Sequence, residues 1–399
     1  MKFRLMGGVA GLVLILATLS CSSSNNSAVS SGTGLLFVAE QGNSTLTGYG
    51  ITLSSGGLSG INAVATGASP SAIAITPSVN ALFVSNTAAS FVTSYQIDST
   101  GSLTVGSNTK TGQNPIGLAV DPAGKFLFVA NQGTFSDPKS GSISVFSISG
   151  TTLKPVTGSP FLTEGPTDTS GTGPVSVAVP PSGNYLYVAN QFNNTVSAFS
   201  FDGTSGALTA VPGSPYPSCV SASSNCTAPS GLGISPNGAF LLVTNSGSNN
   251  VSSFAICVVV SATCSKPDGT MTAVTGSPFP AGIGPVAVAF DSGFNFVYVA
   301  DQQSNQVSQY SFSPGTGVLT SLSPPSLSTG STPVSLAVRS GASGSDVGNP
   351  TLNTLDFVYV ANIGGTSLSV FGLDTTNGLL GTPTTFATTG GQPSAVAVK

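Results

Sequence analysis

Histidine and tryptophan are both missing from this chain of 399 residues, and only 6% of its residues are charged. Without histidine there is no side chain whose ordinary pKa lies near neutrality to act as general base. A Ser-His-Asp triad is excluded, and so is ligation of copper or haem by imidazole. Without tryptophan the best cation–π platform is gone. The nine Lys and Arg residues are too few and too scattered to form the electropositive track that nucleic acid or a polyphosphate needs. No GxxxxGK[ST] loop occurs, and the Gly-rich stretches lack a strand-turn-helix setting, so the 50 glycines are turn glycines and no cofactor is expected.

What is present is a strand-and-turn composition: 40% hydrophobic residues, 27 prolines and abundant Ser and Thr. Lys2 and Arg4 precede an apolar run over residues 5–19, too short to span a membrane comfortably and of the size of a signal-peptide core. The run ends at Thr18-Leu19-Ser20-Cys21, which resembles a bacterial lipoprotein signal. The resemblance implies a signal peptide over residues 1–20, a lipidated Cys21, and a Ser/Asn/Gly-rich tether over residues 21–34. An ordinary secreted protein with a free Cys21 is the alternative. Loss of Lys2 and Arg4 leaves seven basic against thirteen acidic residues, a mature charge of 7 − 13 = −6. Export to the cell envelope, with contact to membrane only through Cys21, is the expected localisation. In that oxidising setting Cys219 and Cys226, and Cys257 and Cys264, are expected to pair as two local loops, a four-Cys metal site being the rival.

The remainder, residues 35–399, repeats. Leu186-Tyr187-Val188-Ala189-Asn190 has near-copies at Phe37, Phe83, Phe128, Leu242, Tyr298 and Tyr359, each ending on a polar side chain: Glu40, Asn86, Asn131, Asn190, Asn245, Asp301 and Asn362. Before each of the last six comes a run headed by proline, at Pro70, Pro115, Pro174, Pro229, Pro285 and Pro333, and a seventh such run, at Pro393, ends the chain. After each comes an aliphatic residue with an aromatic three positions on, as in Val196 and Phe199. In the unit around Asn190, turns at residues 181–184, 191–194 and 202–206 divide four strands, A to D, over 174–179, 185–189, 195–201 and 207–211. Gly-Ser-Pro-Phe/Tyr, at Gly158, Gly213 and Gly276, reads as a terminator of strand D that docks an aromatic between units. Four antiparallel strands in units of this length predict an all-β, seven-bladed β-propeller with four-stranded blades. Because residue 35 opens a strand B and residue 398 closes a strand A, the two ends are expected to complete one blade together.

Phe/Tyr-Val-Ala-Asn combined with Pro-x-x-Val-Ala-Val resembles the YVTN-repeat and lactonase-type seven-bladed propellers, a group that includes bacterial 6-phosphogluconolactonase and fungal muconate-lactonising enzymes. The resemblance implies this fold over residues 35–399 and a lactone-hydrolysing activity that uses His and Arg in a central cleft. This chain has no His and, after processing, Arg339 alone.

In such a fold the B-to-C and D-to-A turns share one face. There Glu40-Gln41, Asn131-Gln132, Asn190-Gln191 and Asp301-Gln302 form a polar rim able to bind sugar hydroxyls or a cation, or else to cap their own turns. Glu164 and Asp168, in the long connection over 161–173, add a carboxylate pair on the same face. No metal site follows from these residues and no catalytic residue is assigned. The favoured function is a monomeric envelope propeller that binds a protein or glycan. A lactone hydrolase and a purely structural envelope protein are the alternatives.

Overall fold

The computed structural model describes residues 33–78, 80–134, 137, 140–163, 172–219, 226–260, 264, 266–339 and 356–399. Seven antiparallel sheets contain all the strands among them. Each sheet is ordered A-B-C-D from a Pro-headed strand A outward. The A strands are Pro393–Val398 (blade 1), Pro70–Ile75, Pro115–Val120, Pro174–Ala178, Pro229–Ile234, Pro285–Phe290 and Pro333–Arg339 (blade 7). Each packs against the A strands of both neighbouring blades, so the seven form a closed inner ring. Residues 1–32 lie outside the described residues, and Cys21, Glu164 and Asp168 with them or in the gap at 164–171.

Closure runs as the sequence predicts. Strand B of blade 1, Thr33–Glu40, starts two residues before position 35 and pairs with Pro393–Val398 in the register Leu36↔Val398 and Val38↔Val396. Leu35 and Lys399 exchange a pair of backbone hydrogen bonds at 3.2 and 2.8 Å. Proline suits the head of every A strand because it has no N–H and that edge has no further strand to receive one. Every A strand also carries a register shift just after its proline. The residue before each proline has φ between 51° and 67°: Ser69, Asn114, Gly173, Ala228, Gly284, Thr332 and Gln392.

The B strands are apolar on both faces because each blade is covered by its neighbours. Ala81–Asn86, Phe126–Asn131, Phe240–Asn245 and Phe296–Asp301 are buried along their whole length. The choice of Tyr over Phe has its own cause. Tyr187, Tyr298 and Tyr359 donate their hydroxyls to the carbonyls of Gly269, Gly378 and Gly56, at 2.9, 2.8 and 3.1 Å, in the C-to-D turn of the next blade. Blade-to-blade adhesion is thus partly polar.

The disulfides Cys219–Cys226 and Cys257–Cys264 are both formed, which leaves no thiolate for a four-Cys metal site. Gly-Ser-Pro-Phe/Tyr does not terminate strand D. It interrupts it: Thr152–Pro155 and Phe161–Leu162, Leu208–Ala210 and Tyr216–Pro217, and Met271–Ala273 and Phe279–Pro280 pair with the same strand C on either side of the motif. The serine fills the gap, since Oγ of Ser159, Ser214 and Ser277 accepts the strand C N–H of Val145, Ala198 and Ser253, each at 2.9 Å. An amide left unpaired there would cost roughly 1–3 kcal/mol.

Candidate functional site

Strand direction puts the B-to-C and D-to-A turns on one face, here the upper, and the A-to-B and C-to-D turns on the lower. The polar residues that end the B strands meet the upper face but do not reach its surface. Glu40, Asn86, Asn131, Asn190, Asn245, Asp301 and Asn362 are all 0% exposed. Each is bonded to a hydroxyl on strand C, and six of the partners lie seven residues on. Thr47 donates to Glu40 at 2.8 Å and Ser308 to Asp301 at 2.6 Å, while Asn86, Asn190, Asn245 and Asn362 donate to Thr93, Ser197, Ser252 and Ser369. The seventh, Asn131, donates to Ser144 across a longer turn at 2.9 Å.

A glycine in the D-to-A turn closes over this pair from above. A Cβ at Gly67, Gly112, Gly282, Gly330 or Gly390 would lie within 2.3–2.8 Å of the Asn86, Asn131, Asp301, Asn362 or Glu40 side chain. Gly67 N–H reaches Asn86 Oδ1 at 2.8 Å and Gly390 N–H reaches Glu40 Oε1 at 3.0 Å. Glu40, Asn131 and Asp301 therefore join strands B and C to the turn that leads into strand A, and Asn190 joins strands B and C through Thr195 and Ser197; all four side chains are buried. The sequence carries this signal as Asx or Glu followed seven residues later by Ser or Thr, together with Gly-x-x-Pro. A ligand-facing rim needs neither.

Asp301 stands where five blades have asparagine. Burial pushes its carboxyl up to about 7, against the lowering effect of the Ser308 hydrogen bonds. A carboxyl whose folded pKa exceeds its unfolded value of 3.8 binds its proton more tightly when folded, so stability is greatest below about pH 4 and falls as pH rises to about 7. Asp301→Asn is expected to stabilise the protein by a few kcal/mol at pH 8 and to flatten the fall of Tm between about pH 4 and pH 7. A variant that melts lower than the parent at pH 8 contradicts this assignment.

The glutamines next along are placed differently. Gln41, Gln132, Gln191 and Gln302 are half-buried, and their backbone N–H groups bond to Gln392, Asn114, Gly173 and Gly284, the residues that precede the A-strand prolines. Gln41 Nε2 reaches Pro70 O at 3.3 Å, at the head of the adjacent inner strand. Gln132 Nε2 donates to Gln191 Oε1 at 3.0 Å across the seam of blades 3 and 4. Thr87 and Ser246 hold the same station in blades 2 and 5, with Thr87 Oγ1 donating to Pro115 O at 2.8 Å. Amides and hydroxyls thus occupy six of the seven stations around the mouth where the inner strands begin, and the half-buried Ile363 of blade 7 occupies the seventh. Among the described residues, the exposed ionisable side chains of the upper face are Lys110, at an outer-strand end, and Asp137, in the inserted turn of blade 3.

Charge is concentrated on the lower face. The hydroxyls of Thr100 and Thr270 on Asp98 and Asp268, and the Ser205 N–H on Asp202, with further N–H groups of the same turns, hold each carboxyl below its usual value. Arg339, at the foot of blade 7, is 5% exposed, and burial lowers its pKa against the raising influence of Tyr359 and Asp356. No group of three His, Cys, Asp or Glu side chains suited to a metal occurs among the described residues. No helix there is long and apolar enough to cross a membrane.

The family described as lactonase, seven-bladed β-propeller, matches residues 52–155, 118–222 and 162–338. Among solved structures, a candidate 6-phosphogluconolactonase from Bacteroides uniformis superposes with a TM-score of 0.72 at 17% identity, over 92% of this chain and 100% of its own. A second, from Bacteroides fragilis, gives 0.70 at 18%, over 94% and 100%. The periplasmic gluconolactonase of Pseudomonas aeruginosa gives 0.71 at 22%, over 92% and 98%. Comparison with curated proteins finds no match. At these identities the structural likeness speaks for the fold.

Proposed function

Because the chain belongs to the lactonase family of seven-bladed β-propellers, we propose that it takes a neutral, hydroxyl-rich lactone or sugar at the upper mouth of its channel. The observation that carries this is the polar, uncharged character of the described residues at the mouth: Gln41, Thr87, Gln132, Gln191, Ser246 and Gln302 offer donors and acceptors to an entering ring. Among the described residues, a phosphorylated lactone would find no cation at these positions to balance its charge. The family supplies the ligand class, and the mouth restricts it to unphosphorylated members. The two disulfides support work outside the cytoplasm.

Ring opening of the bound lactone is the second reading, and Asp301 favours it. Burial pushes its carboxyl up to about 7, the range in which a general base works best, one residue before Gln302. Against it stands the complete enclosure of that carboxyl. The purified full chain is to be titrated with neutral sugar lactones and assayed for acid release. Binding weakened about tenfold by Gln191→Ala or Gln132→Ala, consistent with loss of one or two hydrogen bonds at about 0.5–1.5 kcal/mol each, supports the mouth as the site. Turnover abolished by Asp301→Asn, in a protein that folds and still binds, establishes hydrolysis. A chain that neither binds nor turns over any neutral lactone or sugar refutes the proposal.

A further inference from the structure

The seventh position counted from each A-strand proline stands at the lower mouth, and its occupants differ: Thr76, Asp121, Pro180, Ser235, Asp291, Arg339 and Lys399. Four of them fold back on their own A-to-B turn. Thr76, Asp121, Ser235 and Asp291 accept the backbone N–H five residues on, from Ala81, Phe126, Phe240 and Phe296, at 3.2, 2.6, 2.9 and 2.7 Å. Arginine cannot take that part, because a guanidinium carries donors only. In blade 7 the side chain goes elsewhere.

The period of two along a strand puts Arg339 on the same face as Ser335, whose Oγ accepts the Val396 N–H of blade 1 at 3.2 Å. The Arg339 side chain crosses that seam into blade 1. A Cβ at Gly34 would lie 2.5 Å from its Nε and 3.2 Å from its Cζ, so glycine is the residue that admits the guanidinium. Tyr359, whose hydroxyl closes the same seam on Gly56 O at 3.1 Å, lies within its electrostatic reach, as does Asp356. Arg339 is 5% exposed, yet its buried Nε and Nη1 have no hydrogen-bond partner. Enclosing a cation with free donors is costly, and an acceptor that enters the seam would offset that cost.

We propose that Arg339 is an anion site, on the opposite face from the upper mouth, which takes a small monocarboxylate into the seam where the ring closes. A carboxylate is the acceptor that best matches a guanidinium with free donors. Because Nε and Nη1 are enclosed, only a ligand of few atoms reaches them without parting blades 7 and 1. The surrounding charge selects a monoanion. Asp356 acts on Arg339 and also on Asp291, and these carboxylates are 4% and 3% exposed, so solvent and salt screen them poorly. A dianion such as sulfate or a phosphate ester would meet two buried carboxylates with Arg339 to balance them.

Full-length parent, Arg339→Gln and Gly34→Ala are melted by calorimetry in rising sodium acetate and, separately, in sodium sulfate at matched ionic strength. The expected result is a saturable rise in parent Tm with acetate, about 3–5 °C at about a hundred times its Kd. Sulfate should give only a gradual, unsaturated rise, the same in all three proteins. Arg339→Gln is expected to lose the saturable response. Gly34→Ala, whose Cβ displaces Nε, is expected to shift its midpoint to about tenfold higher acetate, and it carries the test if Arg339→Gln does not fold. A parent with no saturable acetate response, or one that is unchanged in the variants, overturns the anion site. Saturation by sulfate at lower concentration than by acetate overturns the choice of a monoanion. None of these outcomes depends on the ligand of the upper mouth.

Discussion

Removal of residues 393–399 is expected to lower Tm by about 10 °C or more and to make the protein prone to aggregate. The strand Pro393–Val398 is buried throughout and is the innermost strand of blade 1. It contributes Val396 and Val398, each at most 1% exposed, to the core that also contains Leu36, Val38 and Tyr359. Two such valines stabilise by roughly 3–6 kcal/mol together, before the backbone ladder is counted. Its polar contacts join both flanking blades: Ser394 Oγ donates to Pro70 O at 2.6 Å, and Val396 N–H to Ser335 Oγ at 3.2 Å. Without the strand, Thr33–Glu40 becomes an open edge and the ring is broken between blades 7 and 2. At about 1–2 °C per kcal/mol for a domain of this length, the apolar loss together with the lost ladder gives a shift that calorimetry reads easily. A truncated protein that melts as the parent does contradicts the closure.

Gly231→Val is expected to have an effect of the same order. The third position of each inner strand is Ala72, Gly117, Ser176, Gly231, Ala287, Ser335 or Ala395, and none is larger than serine. These positions face the neighbouring inner strand. A Cβ at Gly231 would lie 2.5 Å from Val286 O and 3.1 Å from Ala287 Cα, and one at Gly117 2.7 Å from Val175 O. Both obstacles are backbone of a ring that cannot widen at one seam without straining the rest. Overpacking of this kind costs about 3 kcal/mol or more. Gly203→Ala, in a C-to-D turn with nothing near its Cβ, should stay within about 0.5 kcal/mol of the parent. Denaturant unfolding compares the two, and a tolerated Gly231→Val would mean that the inner strands are not in the contact described.

The fold was legible because its determinants are local and repeated sevenfold. Pro at the head of strand A, the apolar B strand and the aromatic of strand C recur at fixed spacing, and strand C of blade 4, Thr195–Phe201, lies where turn residues on either side place it. The pairing of Cys219 with Cys226 and Cys257 with Cys264 followed from loop length alone.

The site was harder to read because one residue type serves two purposes. An Asn or Asp at a strand end looks the same in sequence whether it meets a ligand or, like Asn86, is roofed by Gly-x-x-Pro of the turn before strand A, and at Asn190 the signal is the Ser197 hydroxyl seven residues on. Gly-Ser-Pro-Phe/Tyr misled for a related reason. Its proline and glycine signal a break, but the serine hydroxyl takes over the ladder hydrogen bond and the strand resumes.

The claim that the uncharged mouth selects a neutral ligand is tested most directly by calorimetric titration of the full-length protein with glucono-δ-lactone and, separately, with its 6-phosphate. The predicted result is saturable binding of the neutral lactone and affinity at least tenfold weaker for the phosphate ester, with little dependence on salt, since no ion pair forms. Tighter binding of the phosphate ester, weakened by added salt, would contradict the account and place the ligand elsewhere than among Gln41, Gln132, Gln191 and Gln302.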